Sequence, residues 1–182
     1  EEKDHIFINY GHNDQVAQMF YKELTKEDKK KVTFIKADLS TYEGMEQLLH
    51  KIKKKRKTVD WLILNTGISS YLPFEEYTHA GQEPYSSSLV YSVSKAAVLF
   101  MAKSLVKVFE EKVVRVNAEA PGFIETKWQE NRTEKSREII NAKIALHRFG
   151  TSEEVAQLCY HILVNGYLNG AIFDIHGGYN YF

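Results

Sequence analysis

Residues 59–67, VDWLILNTG, set the tightest limit on how this chain can fold. Val59, Trp61, Leu62, Ile63 and Leu64 follow one another with a single polar break at Asp60, so a strand built from them has no face to give to water. Such a strand belongs in a parallel sheet covered on both faces by helices. The flanking segments supply that architecture. HIFINY (5–10) reads as a strand and DQVAQMFYKEL (14–24) as a helix with Val16, Met19, Phe20 and Leu24 near helical spacing. VTFIKADLS (32–40) and TYEGMEQLLHKIKKK (41–55) repeat the pair, and 59–67 is the third strand. Further on, a long helix spans about 87–111, VVRVNAEA (113–120) is a strand, and SREIINAKIAL lies in a polar stretch, 126–146, that reads as a mobile helical flap. SEEVAQLCYHILV (152–164) is a helix with Ser152 as its expected N-cap, and GAIFDIHGG (170–178) closes the chain as a strand. Alternating strands and helices make this an α/β chain with a parallel sheet.

With 182 residues and 43% hydrophobic content, one buried core and one domain are expected over 1–182, with no internal repeat. Twenty-four basic residues balance 24 acidic ones, which argues against nucleic acid or an anionic membrane as partner. The run KIKKKRK (51–57) fits the solvated end of a helix, whose carbonyls favour cations. Cys159 is the sole cysteine and is expected as a core thiol in a reducing compartment. EEKDHIFINY has no signal-peptide pattern and no apolar run is long enough to span a bilayer, so a cytoplasmic, soluble protein is expected. The seven histidines form no metal-binding pattern, and no metal is expected.

YSVSK (91–95) places Tyr91 one helical turn before Lys95, on the same face. A free tyrosine has a pKa of about 10, and a neighbouring ammonium favours its phenolate, bringing the proton within reach at neutral pH. The same spacing also suits two ordinary helix residues. Taken singly, Asn65 and Gly67 read as a turn, Asp38 as a surface turn aspartate and Pro121-Gly122 as a turn signal.

In order, NTG (65–67), YSVSK (91–95), VNAEAPGFIET (116–126) and GAIFDIHGG (170–178) together resemble the short-chain dehydrogenase/reductase family, particularly its 3-oxoacyl-[acyl-carrier-protein] reductase members. The resemblance implies a Rossmann-like doubly wound parallel sheet and an NAD(P)-dependent oxidoreductase. Its small-molecule substrate would be a ketone, or the corresponding secondary alcohol. Tyr91 would give a proton to the carbonyl oxygen while the dihydronicotinamide delivers hydride to the carbon, and Lys95 would tune Tyr91 and hold the nicotinamide ribose. Asn65 and Gly67 stand at the family's NAG motif, with Thr66 in place of alanine; the glycine would admit the adenosine part of the cofactor. Asp38, with Leu39 beside it, would contact adenine. Pro121, Gly122, the backbone of Ile124 and the hydroxyl of Thr126 would form the nicotinamide-side loop. YGHN (10–13) lies where the adenine ribose is read, and its lack of an immediate acid leans towards NADP over NAD. A 3-oxoacyl thioester on acyl carrier protein, in fatty acid biosynthesis, is the specific substrate implied. A homo-oligomer is also implied, a tetramer or a dimer.

Two parts of the family pattern have no counterpart. Gly11 stands alone where a TGxxxGxG loop would cradle the pyrophosphate, and HIFINY matches the family's second strand, not its first. Between Gly67 and Tyr91 there is too little chain for a further internal strand, so the catalytic serine and asparagine have no assignable position; counting back from Tyr91 reaches Thr78 and His79, and Ser86, Ser87 and Ser88 lie too close. The expectation is that these 182 residues are an incomplete record of a longer chain. The alternative is a non-catalytic oligomerising or binding member of the same fold that has lost its phosphate loop.

Overall fold

The computed structural model describes residues 5–65 and 89–179, with side chains in the helix that starts at Leu89 described from Val93 onward. Thr66, Gly67, Thr78, His79, Ser86, Ser87 and Ser88 fall outside the described residues, as does the Tyr91 side chain. Contacts divide the chain into two compact units, Glu1–Leu64 and Asn65–Phe182.

The first unit runs β1 (Ile6–Tyr10), α1 (Asp14–Glu23), α2 (Lys26–Lys31), β2 (Val32–Lys36) and α3 (Tyr42–Lys55). β1 and β2 pair in parallel, from Ile6 opposite Val32 to Tyr10 opposite Lys36. Asn9 ties them further, its side-chain amide donating to the carbonyls of Ile35 (3.2 Å) and Ala37 (3.0 Å). Each helix starts on a side-chain cap: Asn13 accepts from the Val16 N–H, Thr25 from Asp28 and Thr41 from Gly44. α2 has no apolar periodicity to reveal it. Its cap, with Glu27 and Asp28 in the first turn and Lys29, Lys30 and Lys31 in the last, matches the helix dipole instead. Ile35 and Ala37 are buried, and Phe34 meets the ring edges of Tyr10, Phe20 and Tyr21 at 6.5, 5.9 and 5.8 Å.

The expected third strand does not form. Residues 61–65 have no regular structure, and Leu62 and Leu64 are 73% and 78% exposed. The sheet of this unit holds β1 and β2, and among the described residues this segment is not part of it.

The second unit runs α4 (Leu89–Val108), a 3-10 turn (Glu110–Lys112), β3 (Ala118–Pro121), a second 3-10 turn (Lys127–Gln129), α5 (Glu134–Lys143), α6 (Ser152–Val164) and β4 (Ile172–Ile175). β3 and β4 pair in parallel, Ala118 opposite Ile172 through Pro121 opposite Ile175. β3 is shorter than the expected 113–120 because its approach is bonded differently. Val113 takes a left-handed φ of 55°, the Val116 N–H donates to the Asn169 side chain at 2.9 Å, and Arg115 donates to the carbonyls of Ile162, Leu163, Asn165 and Leu168 at the end of α6.

Residues 126–146, expected as a helical flap, are largely exposed but lend two side chains to the core of the unit. Ile140 and Ile144 on and after α5 cluster with Phe149, and Phe123 and Tyr179 pack against them. The N-cap of α6 is Thr151, one residue before Ser152. Its hydroxyl accepts from Glu154 N–H (3.2 Å) while the Glu154 carboxylate accepts from Thr151 N–H (2.8 Å), a reciprocal box that a serine one position later could not close.

Candidate functional site

The loop leaving β3 carries the most specific arrangement. Gly122 N–H donates to Ile175 O at 3.0 Å, and a Cβ on Gly122 would stand 2.6 Å from the His176 Cβ, so only glycine lets the two backbones approach this closely. Beyond it, Ile124 makes an isolated parallel bridge with Gly150. The bonds run from Gly150 N–H to Phe123 O (2.9 Å) and from Glu125 N–H to Gly150 O (2.8 Å). In that pattern Ile124 turns its own N–H and C=O away from Gly150, and neither has a hydrogen-bond partner among the described residues. Thr126 stands at the N-cap of the 127–129 turn and its carbonyl accepts from Gln129 N–H (2.9 Å), yet its hydroxyl makes no capping bond. One donor and one acceptor on the same residue, with a hydroxyl two positions on, complement a primary carboxamide. The residues fit the nicotinamide end of a dinucleotide.

Tyr91 and Lys95 lie on α4, four residues apart and therefore on one face; Lys95 is exposed. Asn65 is exposed in an irregular segment at the start of the second unit. The structure thus sets Pro121, Gly122, Ile124 and Thr126 together in one loop and Tyr91 with Lys95 on one helix.

Asp38 and Leu39 belong to the first unit, just beyond β2. The Asp38 carboxylate accepts from the Ser40 N–H (2.9 Å) and hydroxyl (2.7 Å), and its other oxygen lies 3.4 Å from His12 Nε2. The Ser40 backbone bond, then its hydroxyl bond, then His12 hold the carboxyl below its usual range despite some desolvation. Gly44 is required here, since a Cβ would stand 1.8 Å from the Asp38 carbonyl oxygen. Leu39 is half-buried.

The sequence reading missed a neighbouring triad. Lys36 lies 2.5 Å from Asp14 Oδ2, and the Tyr10 hydroxyl donates to Asp14 Oδ1 at 3.1 Å. Lys36 chiefly, then Tyr10, pulls the Asp14 carboxyl below its usual range. Only the register that sets Tyr10 opposite Lys36 could have revealed it. Gln129, a buried amide in the loop that follows β3, was missed as well, because one glutamine in the polar stretch KWQENRTEK carries no pattern of its own.

Residues 76–180 match the family described as enoyl-(acyl carrier protein) reductase, and residues 1–80 match the short chain dehydrogenase family. The chain belongs to the short-chain dehydrogenase/reductase family. A 3-oxoacyl-[acyl-carrier-protein] reductase of Thermotoga maritima is 43% identical over 90 residues, which cover 48% of this chain and 37% of that protein. Carbonyl reductase family member 4 of Xenopus laevis is 38% identical over 89 residues, 49% of this chain and 36% of the relative, so the chain spans well under half the length of these relatives. Glucose 1-dehydrogenase 2 of Bacillus subtilis aligns more fully, 26% identical over 222 residues, 98% of this chain and 86% of the relative. That alignment is longer than the chain itself, so the relative carries positions with no counterpart here. Among solved structures, a short-chain dehydrogenase/reductase from Serratia marcescens superposes with a TM-score of 0.82 at 20% identity, covering 96% of this chain and 87% of that one. An NADPH-dependent reductase involved in bacilysin biosynthesis superposes with a TM-score of 0.81 at 20% identity, covering 96% and 88%. The fold of this family member is the Rossmann-like, doubly wound α/β fold.

Proposed function

We propose that this chain is, or is part of, an NAD(P)-dependent oxidoreductase that reduces a ketone or oxidises the corresponding secondary alcohol. The observation that carries the reading is that the N–H and C=O of Ile124 have no partner among the described residues, beside the uncapped hydroxyl of Thr126. Pro121 and Gly122 aim that loop, and Ile124 and Thr126 hold the carboxamide so that one face of the ring meets the substrate. The bound cofactor supplies the hydride. Tyr91 moves the proton at the substrate oxygen, and Lys95 lowers the cost of the phenolate and holds the ribose. Asp38 and Leu39 take the adenine, with Asn65 and Gly67 giving close approach to the adenosine.

NADP is favoured over NAD, because Asp14 at the start of α1 is already engaged by Lys36 and Tyr10, Asp38 by Ser40 and His12, and the exposed His12 stands beside Asp38 as a basic group. A 3-oxoacyl thioester on acyl carrier protein is the substrate favoured by the Thermotoga maritima relative. The exposed Val93, Val98, Phe100 and Met101 on α4 favour a homo-oligomer. The non-catalytic reading has one observation on its side, the irregular and exposed 61–64 segment where a central strand is expected.

Titration of the purified chain with NADPH and NADH, followed by fluorescence, separates the two readings. Saturable binding with NADPH the tighter ligand supports the oxidoreductase; no binding of either favours the non-catalytic member. In a ketone-reduction assay, Tyr91→Phe is expected to lower turnover by about 10²-fold or more with cofactor binding kept. Unchanged turnover in that variant would rule out the proton donor.

A further inference from the structure

We infer that Arg132 and Arg137 are positioning residues, a pair of guanidinium clamps that hold the Gly122–Thr126 loop in its amide-recognising shape. This rests on the nicotinamide role proposed above. Phe123 and Glu125, the two side chains alternating with Ile124, are each held by one arginine. Arg132 stacks on the Phe123 ring, 5.3 Å from its centroid, and its Nε donates to the side-chain oxygen of Gln129. Gln129 is only 7% exposed, and its own N–H bonds the Thr126 carbonyl, so Arg132 joins the start of the loop to its end. Arg137 lies over the Phe149 ring at 4.8 Å and donates to the Glu125 carboxylate. Phe149 in turn packs on Phe123, ring centroids 5.6 Å apart, and Tyr179 closes the other side at 5.2 Å.

An exposed ion pair alone would add little. Here each guanidinium is fixed by a ring face as well as by an acceptor, which a planar group with directed donors meets with better geometry than a compact ammonium. The consequence falls on the backbone between them. With Phe123 and Glu125 both fastened, the peptide groups of Ile124 keep their orientation before any ligand arrives, and binding need not order them.

Amide hydrogen exchange on the 182-residue chain tests this with no cofactor present. Arg137→Gln and, separately, Arg132→Lys are expected to speed exchange at Glu125 and Gly150 by about tenfold or more while the amides of α6 keep their rates. Arg137→Lys is expected to behave like Arg137→Gln, since it keeps the charge and loses the stack. NADPH affinity should fall about tenfold in the same variants, and Lys107→Gln, which breaks an exposed pair between α4 and the 3-10 turn after it, should alter neither readout. Unchanged loop exchange would overturn the inference. So would an increase shared equally by α6, or full rescue by lysine, since either reduces the arginines to general stabilisers. If the parent chain binds no NADPH, the proposed function fails while the exchange result still decides the clamp.

Discussion

Val113 and Glu119 are two residues that sit at odds with their surroundings. Val113 holds a left-handed φ of 55° with a β-branched side chain that is 88% exposed, so the strain has no packing to offset it. Val113→Gly should raise unfolding free energy by about 1 kcal/mol in urea melts. Glu119 lies in β3 with one carboxylate oxygen buried and unpartnered, and burial pushes its carboxyl up. The Cys159 thiol, expected in the core, is only half-buried, and it is raised too, by desolvation first and then by the Glu119 charge. A carboxyl whose folded pKa lies above its unfolded value favours the fold when protonated. Its contribution is complete below the unfolded pKa and is lost as pH rises through the folded one. Stability should therefore decline with rising pH just above the ordinary carboxylate range, and Glu119→Gln should flatten that part of a urea-melt pH profile. Parent and variant profiles of equal slope would contradict this.

Helix ends decide much at the scale of elements. α6 starts on the Thr151–Glu154 box, and Arg148 adds bonds of 3.0 and 2.6 Å to the same carboxylate. Together, Arg148 foremost and then the Thr151 N–H, these bring Glu154 down to about 2. A depressed carboxyl keeps its contribution at neutral pH and loses it only as pH falls towards that value, so the start of α6 should outlast most carboxylate contacts on acidification. Thr151→Ala should cost about 1 kcal/mol, read by thermal unfolding, with the loss concentrated in α6 amides by hydrogen exchange. The strands follow a different rule. β1 and β2 form because each has the other, whereas 61–64, the most apolar of the expected strands, stays irregular without a ladder.

For the molecule as a whole, that irregular segment is a liability. Trp61, Leu62, Ile63 and Leu64 are 52%, 73%, 59% and 78% exposed in sequence, an uncharged run of β-forming and apolar residues open to other chains. The double variant Leu62→Lys/Leu64→Lys should raise the concentration at which the chain aggregates in light scattering and leave its melting temperature unchanged. A lowered melting temperature would mean that these side chains are packed in solution. What the sequence determined by itself is whatever depends on near neighbours: the strand-helix alternation through α3, the four-residue step from Tyr91 to Lys95, and the Pro121-Gly122 turn into Ile124 and Thr126. What only tertiary structure decided is whatever needs a partner distant in the chain. Phe149 and Arg137 reach the loop from beyond its end, Lys36 meets Asp14 through strand register, and 59–65 fails as a strand although its residues favour one. The physical reason is common to these cases, since strand pairing, ring stacking and ion pairing are set by proximity in space, which local pattern does not encode.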